Sequence, residues 1–427
     1  MKRSLKSILI LSIVVLLGVI IFFSLSGNAT TQAKTKITYW VINNDPDEQL
    51  GKKYVADFMA KNPEIEVDLV RMGEVSEETI AISVAGGTAP DVCQMGPSLS
   101  VNYAKEGALI PLDSFSDFQT AAMEAGKPAD LLAGYKIDGH IYLMPWRGSP
   151  ILLFCNKTML DKAGVKPPKS WEDFVNVAKA VKEKTGYWGL ATEGGGLQPE
   201  GWHRMFDYLE LYDNTAAKGH FLSDDGKRAI FSGPAAVETL KVFVDIHQAG
   251  AAPTSPVTED LFSNGKAAMT FAGSWKYPGI EDAGVVKLDE IEVVSIPTYT
   301  GEGPSFTYGD PRDLAIFQQS KNPDAAWKFV KFIVQEQQSL DCIKITGQLP
   351  VRGDLATNPT FASYLQEHPE LKPFAEGIAY TMSMDLSEHI WEGLASFSMA
   401  FQKACLGKED PQTALMDAAS EVNKLLK

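Results

Sequence analysis

Short strand-like segments alternate with amphipathic helical segments from Lys36 almost to the end of the chain. Segment 36–42, KITYWVI, is rich in β-branched and aromatic residues, and apolar side chains then recur at helical spacing between Leu50 and Met59. The strand-like runs IEVDLVRM and AAMTFA continue the alternation further along. Alternation of this kind over such a length predicts an α/β architecture.

Helix boundaries are signalled most clearly in two places. Ser170 is expected to cap a helix that ends at Gly186, because acidic residues follow in its first turn. Asn322 is expected to cap another helix, with Pro323 at the first helical position.

Length and charge limit the classes of function. A chain of 427 residues with a 45% hydrophobic fraction is expected to form two or more globular domains. The formal net charge is −15, and no Lys/Arg-rich run occurs beyond the N-terminus. The sequence therefore predicts no nucleic-acid partner.

The N-terminus has the pattern of an export signal. Three basic residues precede an apolar run at 8–23, and no charge occurs from Ser7 to Ala33. Residues 1–33 are predicted to be a signal peptide cut after Ala33, with cleavage after Ala29 as the weaker site. The run is also nearly long enough to span a bilayer, so an N-terminal membrane anchor over residues 7–25 is the alternative. Either way the body is predicted to lie in the periplasm or at the outer face of the cytoplasmic membrane.

Cysteine spacing argues against a metal or redox site. The cysteines lie dozens of residues apart without a CxxC motif, and each has apolar neighbours: Cys93, Cys155, Cys342 and Cys405. Buried thiols are expected, although export would permit disulfides. No metal and no cofactor are predicted.

The domains are predicted to be joined by several short crossings. No polar linker is visible, and the candidate boundaries are the ordered segments MPWRGSP (144–150), TYGDPRD (307–313) and GQLPVR (347–352). One lobe is predicted to comprise residues 34–147 and 313–347, and the other residues 148–312 and 348–427. Lobes joined by several strands can hinge and close on a ligand.

Several longer segments, in order, resemble the family 1 extracellular solute-binding proteins of bacterial ABC importers, the group that includes maltose-binding protein. They are GGTAPDVCQM with YAKEGALIPLD, YLMPWRGSPILLFCNKTMLDKAGVKPPKSWEDF, FSNGKAAMTFAGSW, and NPDAAWKFVKFIVQEQQ with GQLPVR. The resemblance implies a two-lobed periplasmic-binding-protein fold of type II with a ligand cleft between the lobes. It also implies a monomeric, non-enzymatic protein that passes a carbohydrate to ABC transporter permease subunits.

Trp275 is the first candidate for ligand contact. It comes just after the apolar strand 267–272 and after Gly273, where the family often offers a ring for a sugar to stack on. The alternative is that Trp275 belongs to the core and that the chain turns later, at Pro278–Gly279.

The resemblance implies further ligand contacts in the first lobe and at the crossings. Asn43 and Asp45 follow the first strand in a loop that resembles the family's first ligand loop, although turn chemistry explains them equally. Ser98 follows Met95 where maltose-type members carry an acidic and an aromatic residue, and this departure puts a maltodextrin ligand in doubt. The crossings supply Arg147, Asp310 and Arg312. The two arginines are expected to clamp a carboxylate or phosphate in bidentate fashion. The alternative is that Arg312 pairs with Asp310 or Asp313 and makes no ligand contact.

Two tryptophans complete the candidates. Trp202 follows the glycine-rich EGGGLQPEGWH segment, whose His203 lacks partners for a metal site. Trp391 occupies a position where the family often places a second stacking ring, with helix core as the alternative.

Three functions are compared. A carbohydrate-binding protein is the main prediction. A relative that binds a polyol or a glycerol or sugar phosphate is the alternative, which two cleft arginines would favour. An exported glycoside hydrolase is the remote third. The many acidic residues would allow the paired carboxylates that it needs, but the resemblance over nearly the whole chain argues against it. No G-x-S-x-G, HExxH or Walker motif of other enzyme classes is present.

Overall fold

The computed structural model describes residues 34–73, 76–191, 203–223, 226–255, 257–382 and 390–426. The strands are β1 (Thr35–Val41), β2 (Ile65–Arg71), β3 (Val92–Met95), β4 (Lys136–Ile137), β5 (His140–Ile141), β6 (Leu143–Gly148), β7 (Leu152–Asn156), β8 (Trp188–Ala191), β9 (Ala267–Ala272), β10 (Ile291–Val294), β11 (Thr307–Tyr308), β12 (Arg312–Ile316), β13 (Leu349–Pro350) and β14 (Thr381–Met382). The predicted export segment, residues 1–33, lies outside the described residues.

Helices cover the strands along the whole described chain. They are α1 (Asp45–Lys61), α2 (Ser76–Ala85), α3 (Pro97–Lys105), α4 (Phe118–Glu124), α5 (Ala129–Ala133), α6 (Lys157–Ala163), α7 (Trp171–Thr185), α8 (His203–Tyr212), α9 (Pro234–Gln248), α10 (Lys276–Ala283), α11 (Pro323–Ile333), α12 (Glu336–Thr346), α13 (Pro359–Glu367), α14 (Lys372–Gly377), α15 (Ile390–Cys405) and α16 (Pro411–Leu425). None of these helices has the length and apolar character needed to cross a membrane.

Two sheets form the centres of two lobes. The first sheet has six strands in the order β13-β6-β12-β3-β1-β2, and β1 runs parallel to both β2 and β3. The second sheet has four strands in the order β10-β7-β9-β8. Separate hydrophobic cores pack against the two sheets, one with Tyr39, Phe58 and Phe329, the other with Phe174 and Phe271. The predicted two-lobed α/β fold is confirmed.

Local sequence signals explain most of the helix ends. The Ser170 hydroxyl accepts a hydrogen bond from the Asp173 N–H while the Asp173 carboxylate accepts one from the Ser170 N–H, which completes a capping box for α7. Gly186 ends α7 in the left-handed region, at φ 77°. Asn322 occupies the predicted N-cap position of α11 and Pro323 follows it, but the Asn322 side chain makes no capping hydrogen bond. Its amide instead donates to the carbonyl of Lys36, at 2.9 Å.

Two short crossings lead out of and back into the first sheet, and they touch each other. The first crossing, residues 149–151, leads from β6 to β7, and the second, residues 309–311, leads from β11 to β12. β11, from which the second crossing comes, pairs with β14 in a separate two-stranded sheet. The Ser149 N–H donates to the carbonyl of Gly309 at 3.0 Å. A Cβ on Gly148 would lie 2.8 Å from that same oxygen, so the approach requires glycine.

The third predicted boundary is bonded to the first sheet. β13 pairs with β6, and the Gly353 N–H donates to the carbonyl of Gly126 at 2.9 Å. Residues 349–353, which the sequence analysis assigned to the second lobe, thus follow the first sheet because their backbone groups find hydrogen-bond partners there. The full lobe boundaries remain a prediction.

The cysteines are free thiols. All of them, Cys93, Cys155, Cys342 and Cys405, are buried, and no disulfide joins any two of them. Burial raises the pKa of the Cys342 thiol above its ordinary value.

Candidate functional site

A cavity of about 440 Å³ lies where the two sheets meet at the crossings. Residues from both sheets line it. They are Ile42, Asn44, Pro46, Asp47, Arg147, Ile151, Asp207, Phe271, Trp275, Asp310, Arg312, Thr346 and Gln348. Arg147, Trp275, Asp310 and Arg312, all predicted from the sequence, are thus brought together, although their contact with a ligand remains a prediction.

Trp275 lies between the end of β9 and the start of α10, where its ring is partly exposed to the cavity. The ring folds back over Gly273 and lies so close to it that a Cβ on that glycine would be 2.0 Å from Cζ3 of the indole. Pro278 and Gly279 belong to α10, so the alternative turn at that pair is wrong. Gly273, two residues before the tryptophan, therefore leaves the space that the ring occupies.

Arg147 is a buried cation at the wall of the cavity, with 1% of its surface exposed. It forms an ion pair with the buried carboxylate of Asp47, and its guanidinium stacks 4.3 Å from the ring centroid of Trp146. Burial is the largest influence and disfavours the charge, but Asp47, together with smaller contributions from Cys342 and Tyr39, holds the pKa of Arg147 above its ordinary value. Nε and Nη1 have no hydrogen-bond partner among the described residues. Both nitrogens are shielded from solvent in the cavity wall.

Asp310 and Arg312 form a second pair in the cavity wall. The carboxylate oxygen of Asp310 lies 3.0 Å from Nη1 of Arg312. Asp310 has a φ of 31°, in the left-handed region that non-glycine residues rarely adopt. Backbone strain of this kind persists where surrounding contacts fix it, and it concentrates at functional sites.

Asn43 and Asp45 do not line the cavity. Asn43 accepts a hydrogen bond from Nε of Arg71, and Asp45 forms an ion pair with the same arginine at 2.7 Å, at the surface. Their neighbours Asn44 and Asp47 line the cavity instead. Asn44 also caps α1, since its side-chain oxygen accepts from the Asp47 N–H at 2.8 Å. Helix capping turns Asn44 and Asp47 toward the cavity, and the residue types alone did not predict this geometry.

Helix α8 connects the cavity with the second crossing. Asp207 lines the cavity, and one turn later Oε1 of Glu210 accepts from the Tyr308 N–H at 3.3 Å. The side chain of Asn214 then both donates to and accepts from the backbone of Phe306, each at 2.8 Å. Burial raises the pKa of Glu210 well above its ordinary value. Asp207 was not among the residues predicted from the sequence, where the available signal was the helical spacing of three between Asp207, Glu210 and Asp213.

Two buried titratable groups lie beneath the crossings in the first lobe. Asp313 accepts from the Trp146 N–H at 3.2 Å, and burial raises the pKa of its carboxyl to about 8. Lys127 donates to the carbonyl of Val351, and burial lowers the pKa of its amine to about 7. Both groups support the strands that lead into the cavity wall.

The remaining predicted contacts cannot be placed. Trp202 lies outside the described residues. Ser98 lies in α3 and Trp391 in α15, but the described part of the structure does not include their side chains. Thr346 and Gln348 line the cavity and were missed, because nothing in their residue types marks the turn between α12 and β13. Across the described residues no group of three or more acidic, histidine or cysteine side chains could hold a metal ion.

Comparisons with known proteins identify the family of the chain. The family model described as bacterial extracellular solute-binding protein matches residues 53–372. A protein of Brucella abortus that is named as a binding protein is 27% identical over 388 residues, 87% of this chain and 88% of that protein.

Two further relatives carry names that state a ligand. The multiple sugar-binding protein of Streptococcus mutans is 26% identical over 350 residues, 77% of this chain and 78% of that protein. The sn-glycerol-3-phosphate-binding periplasmic protein of Escherichia coli is 24% identical over 443 residues, 95% of each chain.

A solved structure supports the fold. An ABC substrate-binding protein of Listeria monocytogenes in complex with cycloalternan superposes with a TM-score of 0.79 at 22% identity, over 92% of this chain and 99% of that one.

Proposed function

The chain belongs to the bacterial extracellular solute-binding protein family, and on that premise we propose that it captures a carbohydrate and delivers it to an ABC permease. It works outside the cytoplasmic membrane, as a monomer and without catalysing a reaction. The relative named as a multiple sugar-binding protein supports this ligand class.

The charge balance of the cavity carries the proposal. Both arginines already have a carboxylate partner in the chain, Asp47 for Arg147 and Asp310 for Arg312. Asp207 adds a third acidic residue to the lining, so acids outnumber bases there. The excess of acidic groups would repel a phosphate, which is negatively charged. A neutral polyhydroxy ligand can form hydrogen bonds with the paired charges without separating them. Trp275 adds an apolar face against which the C–H face of a sugar packs.

A glycerol or sugar phosphate is the second candidate ligand. The two arginines in the lining favour it, because a guanidinium binds phosphate oxygens in bidentate fashion. The relative named for sn-glycerol-3-phosphate supports the same ligand. Competition from Asp47 for the Arg147 guanidinium argues against it.

Binding is proposed to close the lobes. The cavity draws its lining from both sheets, so a ligand that contacts both sides stabilises the closed arrangement over the open one. The crossings at 149–151 and 309–311 are the places where the backbone rotates. Small-angle scattering is expected to show a smaller radius of gyration at saturation, and an unchanged radius would contradict closure.

A thermal-shift screen of the full-length chain tests the ligand class. The panel holds neutral mono- and oligosaccharides, polyols, and sugar and glycerol phosphates. A ligand at 100 times its Kd adds about 2.7 kcal/mol to the free energy of unfolding, which gives a readable shift of the midpoint. Neutral sugars alone should shift it. A shift with phosphates alone would transfer the proposal to the second candidate.

Two further measurements complete the test. Trp275→Ala should weaken binding while the fold survives, whereas Trp188→Ala, a partly exposed tryptophan on β8 that contacts Lys182 and does not line the cavity, should leave affinity unchanged. Chromogenic glycosides should show no turnover. Hydrolysis that one Asp or Glu substitution abolishes would revive the enzyme alternative.

A further inference from the structure

We infer that Ser149 is a positioning residue that fixes the Trp275 ring to the first crossing. The inference rests on the proposed function only in treating that ring as a ligand contact. It is carried by a buried hydrogen-bond cluster between Ser149 and Ser274, the residue just before the tryptophan. Both serines have at most 1% of their surface exposed.

The Ser149 hydroxyl uses its full bonding capacity. It donates to the carbonyl of Pro150 at 3.2 Å. It therefore accepts from the Ser274 hydroxyl at 2.9 Å and from the Ser274 N–H, also at 2.9 Å. One donor and two acceptor positions are all that a hydroxyl has. A single oxygen of the crossing thus fixes both the backbone and the side chain of Ser274.

The same turn is confined on its other sides. Gly347, at φ 71°, packs so closely that a Cβ there would lie 2.6 Å from the carbonyl oxygen of Ser274. On the far side of the tryptophan, the buried Lys276 forms an ion pair with Asp260 at 2.8 Å. Gly273 supplies the space beneath the ring. Because the turn has little freedom, the placement of Ser274 sets the placement of the indole that follows it.

Ser149 also links the Trp275 turn to the hinge. Its N–H bonds to Gly309 of the second crossing while its hydroxyl holds the Trp275 turn. Rotation of the backbone at residue 149 must therefore either carry the turn with it or break two buried hydrogen bonds. The ring and the hinge are coupled through this one side chain.

The test follows the ring without any ligand, so it does not depend on which compound the protein binds. The full-length chain is labelled with 5-fluorotryptophan, and fluorine NMR resolves the indoles. Trp275→Phe and Trp171→Phe assign two resonances. Trp171 is the internal control, since its ring is buried in the second lobe and donates to the carbonyl of Pro297.

Variants at the serine pair separate hydrogen bonding from volume. Ser149→Ala leaves both groups of Ser274 without an acceptor, and Ser149→Cys keeps the volume but accepts poorly. Both should shift or broaden the Trp275 resonance while that of Trp171 stays in place. Ser274→Ala keeps the N–H bond and should produce a smaller change, and it serves as the test if neither Ser149 variant folds.

Two results would overturn the inference. An unchanged Trp275 resonance in every folded variant would show that the serines only stabilise the fold. A wild-type spectrum for Ser149→Cys beside an altered one for Ser149→Ala would assign the effect to packing rather than to the hydrogen bonds. Failure of every sugar in the thermal-shift screen would leave either NMR result standing.

Discussion

Gly273→Ala should impair ligand binding as severely as loss of the Trp275 ring itself. A Cβ at residue 273 would lie 2.0, 2.3 and 2.5 Å from Cζ3, Cε3 and Cη2 of the indole. Because carbon atoms pack at about 3.5–4.0 Å, the ring must retreat by roughly 1.5 Å or more. The backbone of Gly273 lies outside the left-handed region, so the added methyl group acts through the ring alone.

The size of the effect of Gly273→Ala depends on whether the Trp275 ring moves or stays in place. If the ring moves, binding loses the contact of an aromatic anchor, about 1.4–2.8 kcal/mol, which is a 10- to 100-fold rise in Kd. If the ring is held, overpacking lowers the free energy of unfolding by about 1–3 kcal/mol.

Calorimetric titration with the sugar found in the screen measures the first outcome, and urea unfolding measures the second. Gly279→Ala is the matched control on α10, where a Cβ would have no heavy atom within 4 Å. It should leave Kd unchanged. Wild-type affinity together with wild-type stability in Gly273→Ala would refute the placement of the ring over residue 273.

Two further predictions concern buried charges. Asp47→Ala should lower the free energy of unfolding in urea by about 3–5 kcal/mol, because it leaves Arg147 buried without its carboxylate, and the same substitution at the exposed Asp45 should change little. Asp313→Asn should become steadily more stable relative to wild type between pH 5 and 6.5, by at most about 1.4 kcal/mol per pH unit. The sign follows because the Asp313 carboxyl, with a folded pKa of about 8, keeps a proton there that the unfolded chain has released, while Lys127 is protonated in both states. Equal pH dependence of urea unfolding for the two proteins would contradict the burial of an ionisable group at 313.

Local signals in the sequence were sufficient for the elements of the fold. Strand and helix periodicity located β1, α1, β2 and β9, and the cap at Ser170 held because a capping box needs only residues within one turn. Asn322 also occupies its predicted cap position, but its side-chain amide bonds to the carbonyl of Lys36, which is remote in sequence, rather than to the helix. A local sequence pattern does not predict a hydrogen bond to a residue that is distant along the chain.

The site was predictable to the extent that it sits on the crossings. Arg147, Asp310 and Arg312 follow from the rule that segments between lobes face the cleft, and Trp275 follows from its place after a core strand. In the loop after β1, the predicted residues Asn43 and Asp45 lie one and two positions before the residues that line the cavity, Asn44 and Asp47. Asn44 and Asp47 turn inward and Asn43 outward because helix capping and the position of Arg71 fix the backbone there.

The sequence by itself determined the order of strands and helices, the family resemblance and the residues at the crossings, because each depends on short-range pattern. Asp310 stands two residues from Arg312, so that pair was open to sequence reasoning. Only the tertiary structure decided the rest of the charge of the site, because the pairing that neutralises Arg147 joins it to Asp47, 100 positions away. The tertiary structure also decided that Ser149 holds Ser274 across 125 residues. Such contacts form when the chain folds back on itself, and no periodicity along the sequence encodes them.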